Sequence, residues 1–198
     1  MKKMLCGISS LLLAALLMAA MPTDADAEIY SDTLRLHILA ASDSEEDQAL
    51  KLAVRDAILL EYSERLSSAE GLGGALSEVR SLLPDIERTA MERITAEGFD
   101  YSVKAELCIE KYDTRDYGAL SLPRGSYNSL IVRIGEGRGR NWWCVMYPPM
   151  CLDMALGAPS DDWVSGYTDT EVSLITGGKY RVKFKLLELL SDFYGQGA

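Results

Sequence analysis

TLRLHILAASDSEED, residues 33–47, changes its period part-way through. In its first half Leu34, Leu36 and Ile38 alternate with Arg35 and His37, the two-residue repeat of a strand with one buried face. Ser42-Asp43-Ser44 interrupts that repeat. Ser44 suits the cap of a helix, and Glu45, Glu46 and Asp47 fall in its first turn, where the helix dipole favours acids. The helix then presents Leu50, Ala53, Val54, Ala57 and Ile58 at spacings of three and four. Arg65 follows Glu61 by four residues as a supporting pair, and the pattern stops near Ser67, before Gly71-Leu72-Gly73-Gly74.

Downstream, the spacing predicts a short helix over 75–83 and a second beginning at Pro84, which can occupy a first turn. That second helix presents Ile86, Ala90, Met91 and Ile94, and Gly98 caps its end. Tyr101, Val103, Ala105, Leu107 and Ile109 alternate along a long strand. After Pro123-Arg124-Gly125, Leu130, Val132 and Ile134 alternate again; Gly135-Glu136-Gly137-Arg138-Gly139 breaks the run, and residues 141–147 resume it. These two runs read as a β-hairpin. Residues 153–178 form a loop-rich connection, and a final helix over about 179–193 buries Val182, Leu186, Leu189 and Leu190. Strand, helices, strands and helix in that order point to an α+β domain. Its sheet is antiparallel or mixed, with helices packed mainly on one face.

Upstream, Lys2 and Lys3 precede an uncharged, Leu- and Ala-rich run of about 14 residues from Ile8 to Met21. That is short of the roughly 20 residues a spanning helix needs and fits the apolar core of a secretory signal peptide. Ala25-Asp26-Ala27 supplies the small-x-small cleavage pattern, so residues 1–27 are expected to be the signal peptide and 28–198 a single domain. An uncleaved anchor and a buried helix are the alternatives. The leader holds two Lys and two Asp, so the exported chain keeps the net charge of −10. This acidity argues against nucleic acid and anionic lipid as partners. Cys108, Cys144 and Cys151 remain after cleavage. Cys144 and Cys151 flank the turn-prone Tyr147-Pro148-Pro149, which favours a bridge between them; three buried free thiols are the alternative.

The catalytic inventory is thin. His37 is the one histidine, so no two-histidine zinc motif exists, and any Ser–His–acid or Cys–His arrangement must use it. Its ordinary role is a structural hydrogen bond near the following helix cap. Asp113-Thr114-Arg115 and Asp169-Thr170-Glu171 lack the glycine of an aspartic-protease signature. Gly135-x-Gly137-x-Gly139 leads into a strand rather than a helix, which removes the N-terminus a phosphate loop needs. No cofactor or metal is expected. Trp142 and Trp143 must point to opposite faces of a strand, so one can fill the core while the other is a contact anchor or is covered by a loop.

Two segments resemble one known family. They are Arg35-Leu36-His37-Ile38-Leu39-Ala40 with Ser42-Asp43-Ser44, Asp47-Gln48, Leu50-Lys51 and Val54-Arg55-Asp56, and Pro123-x-Gly125-x-Tyr127 through Ile134-Gly135-x-Gly137-x-Gly139 and Asn141-Trp142-Trp143-Cys144-Val145 to Pro148-Pro149-x-Cys151. Together these resemble the stage II sporulation protein R family over roughly residues 33–152, with a compatible last helix. Ala41 stands where the family usually has Asn, and Glu45 where it often has Pro. The resemblance implies a non-enzymatic signalling protein, exported from the forespore into the space between its two membranes. There it is required to activate a membrane-embedded aspartic protease that processes the precursor of the sigma-E factor. The expected contact residues for that protease's extracytoplasmic face are Arg35, His37, Ser42, Asp43, Asp47, Arg55, Gly135, Gly137, Asn141, Trp142 and Trp143. An envelope hydrolase or a scaffold protein is the alternative.

Overall fold

A computed structural model describes residues 7, 9–15, 29–30, 32–117, 120–148, 172 and 175–176. Residues 9–15 are helical, with Leu11, Leu12 and Leu13 exposed. No helix among the described residues is long and apolar enough to cross a membrane. The cleavage pattern at 25–27, Cys151, most of the 153–178 connection and the helix expected over 179–193 lie outside the described residues.

β1 (Leu34–Leu39) leads through the Ser42–Ser44 turn into α1 (Glu45–Ser67). Ser44 caps α1 as expected: its Oγ accepts from the Asp47 amide at 3.1 Å, with Glu45, Glu46 and Asp47 in the first turn. α2 is one helix, Gly71–Ala96, and not the two predicted. Ala75, Val79, Leu82, Ile86, Ala90 and Ile94 make an unbroken buried stripe across Pro84, so burial overrides the local break. Pro84 and Arg80 are both on the solvent side, where water can serve the carbonyl that a proline leaves without a donor. Gly98, at φ +84°, ends α2 as predicted; its amide bonds Thr95 O at 3.0 Å and the Phe99 amide bonds Ile94 O at 3.1 Å. Tyr62 of α1 and Thr89 of α2 share a 2.8 Å hydrogen bond, and Arg65 pairs with Glu78 across the helices rather than with Glu61.

β2 (Val103–Tyr112), β3 (Arg115–Tyr117), β4 (Leu120–Leu122), β5 (Gly125–Ile134) and β6 (Asn141–Tyr147) follow. The main sheet is mixed, in the order β2-β5-β1-β6, while β3 and β4 form a separate two-stranded hairpin. β1 runs parallel to β5 and antiparallel to β6. The predicted hairpin between β5 and β6 is therefore absent, because β1 lies between them. With one strand interposed, their separation is about 10 Å. The six residues of 135–140 cover that step easily, passing over the end of β1 with Gly139 N on Ala40 O at 2.9 Å.

α1 and α2 cover one face, as predicted. Leu34, Leu36 and Ile38 meet Val54, Ile58, Leu82, Ile86 and Ile94 there, with Leu130, Val132 and Ile134 from β5. Each fully buried Leu or Ile stabilises by about 1.5–3 kcal/mol. Ile109 was expected on this face, but β2 runs past the helices and leaves it 73% exposed. A further correction concerns β1 itself. Arg35 and His37 do not face solvent: both are buried, since the β3–β4 hairpin, residues 29–30, Val172 and Ile175 cover the opposite face.

Candidate interaction site

The residues expected to mark a contact surface divide between two places. The first is the end of the sheet where the 42–47 turn and the 135–140 loop interlock. Ser42 Oγ donates to Asp47 Oδ2 at 2.5 Å, and Gln48 Nε2 donates to Ser42 O at 2.9 Å. The Arg140 amide donates to Asp43 Oδ1 at 2.6 Å. Buried Lys51 donates to Gln48 Oε1 at 2.7 Å and to Arg140 O at 2.9 Å, tying α1 to the loop. Burial first, then the charge of Arg140, pulls its ammonium below the ordinary lysine range, with Asp43 opposing. Gly139 passes so close to the turn that a Cβ there would lie 2.0 Å from Ser42 O. Gly135 and Gly137 take positive φ, +55° and +63°, to make the turn. Asp47 is buried, whereas Asp43, Glu136, Arg138 and Arg140 are exposed. This rim can contact another molecule.

The second place is the covered face of β1. His37 Nδ1 lies 3.0 Å from both carboxylate oxygens of Glu110, and its ring stacks on Trp143 with centroids 5.4 Å apart. Trp143 carries Arg115 at 3.9 Å from its ring centre. Arg35 packs its guanidinium 3.8 Å from Tyr112, with Tyr127 and Tyr117 further off, and donates to the Tyr117 hydroxyl. Tyr112 bonds Ser129 at 2.7 Å; burial, reinforced by Glu110, holds its hydroxyl well above the ordinary tyrosine range. Tyr127 donates to Pro123 O at 2.6 Å and meets Tyr30 edge-on, and a Cβ on Gly125 would strike that Tyr30 ring at 2.4 Å. Pro123, Gly125 and Tyr127 thus serve one packing unit.

The two tryptophans do point to opposite faces. Trp142 lies on the helix side under Arg55, whose guanidinium is 5.0 Å from its ring, and Trp143 lies on the hairpin side. Both are half-buried. Asn141 begins β6 beside Leu39, its Oδ1 buried without a partner among the described residues. Cys144 is buried and Cys108 half-buried, and neither is bridged among the described residues.

Among the described residues no serine or cysteine bonds His37, whose Nδ1 meets Glu110. Ser129 is fully buried and donates to the Glu110 carboxylate rather than to His37, so it is not the serine of a Ser–His pair. Among the described residues no group of three or more His, Cys, Asp or Glu could hold a metal. Sequence reasoning missed Glu110, Tyr112, Arg115 and Tyr117. They follow the polar side of β2 into β3, and only the strand order brings them to β1.

A family model described as Stage II sporulation protein R (spore_II_R) matches residues 30–156. Stage II sporulation protein R of Bacillus subtilis (strain 168) is 37% identical over 130 residues, a match covering 65% of this chain and 58% of that protein. The chain therefore spans less than two thirds of that relative's length. No solved structure matches.

Proposed function

This chain belongs to the stage II sporulation protein R family, and from that premise we propose that it is the exported signal that switches on a membrane-embedded aspartic protease during sporulation. The match over residues 30–156 carries this reading. In it, residues 1–27 direct export and the domain acts in the space between the forespore and mother-cell membranes. The domain binds the protease's extracytoplasmic face and has no catalytic role of its own. A ligand shifts such an equilibrium only by binding the active form more tightly than the inactive one.

The interlocked rim supports a protein contact: Asp43, Glu136, Arg138 and Arg140 form an exposed charged edge on a base held rigid by Lys51 and Gly139. Trp142 lies two residues beyond Arg140 on the adjoining strand. The test is co-expression of the chain, its cognate protease and the precursor sigma factor in non-sporulating cells, with and without residues 1–27. Processing that depends on the exported form is the expected result. No processing by a folded, secreted chain overturns the proposal and brings forward an envelope scaffold or hydrolase.

A further inference from the structure

The outer edge of β2 is guarded in its first half and open in its second. Among the described residues β2 ends the main sheet on one side, with β5 as its inner neighbour. Ser102 O accepts from the Gly135 amide at 2.7 Å, so the backbone groups of even-numbered residues here turn toward β5. Those of odd-numbered residues turn outward, and the Ala105 amide donates to Glu87 Oε1 of α2 at 2.8 Å. That carboxylate occupies the edge at Ala105. Leu107, Ile109 and Lys111 present their amides and carbonyls to the same side, further along the strand. Ile109 is 73% exposed and Lys111 is exposed too, so this stretch reaches solvent. An exposed apolar side chain on an open strand edge is a template for pairing.

We infer that this edge pairs with the same edge of a second copy, antiparallel about a two-fold axis at Ile109. Outward-facing residues must meet outward-facing ones, which restricts where the axis can fall. At Leu107 or earlier the pairing needs the Ala105 amide, which Glu87 holds. At Cys108 it sets Glu106 opposite the second copy's Glu110. At Glu110 or Lys111 it sets that charge against itself, and like charges directly opposite destabilise a sheet. At Ile109 none of these conflicts arises. Ile109 meets its own copy, Leu107 meets the aliphatic stem of Lys111, and Cys108 faces Glu110. About six backbone hydrogen bonds then join the two sheets into one. Each copy carries a net charge of −10, which opposes association and makes it dependent on salt. The inference rests on the edge geometry and not on the signalling role.

Sedimentation of the purified, secreted protein over a range of concentrations tests it. The wild type is expected to pass from monomer to dimer, with the dimer tightened several-fold by added salt. Ile109→Lys should keep the wild-type circular dichroism and weaken the dimer about tenfold or more, since it sets two ammonium groups together at the axis. Leu60→Lys, at an even more exposed site on α1, should leave the dimer intact. Oxidation should join copies of the Cys108→Ser/Ile109→Cys protein, whose new thiols face each other across the axis, and should not join the wild type through Cys108. A monomer at every concentration and salt overturns the proposal. So does a dimer that survives Ile109→Lys or is lost equally in Leu60→Lys. A wild-type disulfide through Cys108 overturns the register. Where Ile109→Lys does not fold, oxidation of the cysteine variant decides, and the absence of a cross-link overturns the pairing.

Discussion

The two faces of the β1 strand are built on opposite terms. Toward α1 and α2, Leu34, Leu36 and Ile38 contribute only apolar surface, and every neighbour is interchangeable in kind. Toward the β3–β4 hairpin, Arg35 and His37 meet tyrosines, a tryptophan and a glutamate, and several polar atoms have no partner among the described residues. The difference teaches where to look for each property. Stability is concentrated on the helix face, while the hairpin face keeps groups that an optimally stable core would exclude.

The largest expected effect tests the helix face. Leu36→Ala empties a fully buried position and should cost about 2–5 kcal/mol in urea unfolding. A loss below that range would mean the helices close over the gap and the contrast between the faces is weaker than described. Next comes the join at the sheet's end. Gly139→Ala drives a Cβ against the Ser42 carbonyl and should cost about 1–3 kcal/mol. Faster amide exchange at Arg138 and Gly139 should accompany it, since these amides bond the end of β1. Unchanged exchange would show that the loop is not held there. Ser44→Ala removes the α1 cap and should cost about 1 kcal/mol, read as a drop in Tm without change in the denaturant m-value.

The smallest effect is pH-dependent. Lys51 holds its proton less tightly folded than unfolded, so the unfolded chain binds more protons as pH rises through the folded value. Stability relative to Lys51→Met should therefore rise between neutral pH and the unfolded lysine value of 10.5. Parallel pH profiles for the two proteins would remove Lys51 from the account of the joint.

Much of this fold was legible in the sequence. The period change at residues 33–47 located β1, the Ser44 cap and α1 because those signals are local. The break at Pro84 misled, since the buried stripe from Ala75 to Ile94 is decided by what lies beneath it. The β5–β6 hairpin misled for a similar reason: alternation gives strands but not their neighbours. For the site, Ser42, Asp43, Gly135 and Gly137 proved to belong to one structure. Arg35 and His37 instead turned inward, to partners separated from them by 73 to 106 positions. Residue types were readable, and their company was not.

The central place of β1 also governs the order of assembly. Its register partners are residues 128–133 on one side and 141–147 on the other, so no strand near it in sequence can shelter it. Until the chain is complete through β5, Leu34, Leu36 and Ile38 remain an unpaired apolar strand beside two helices, and one edge stays open until β6 follows. Contacts this distant make for slow, late-closing folding. A chain truncated before β5 is expected to aggregate rather than yield a smaller stable domain.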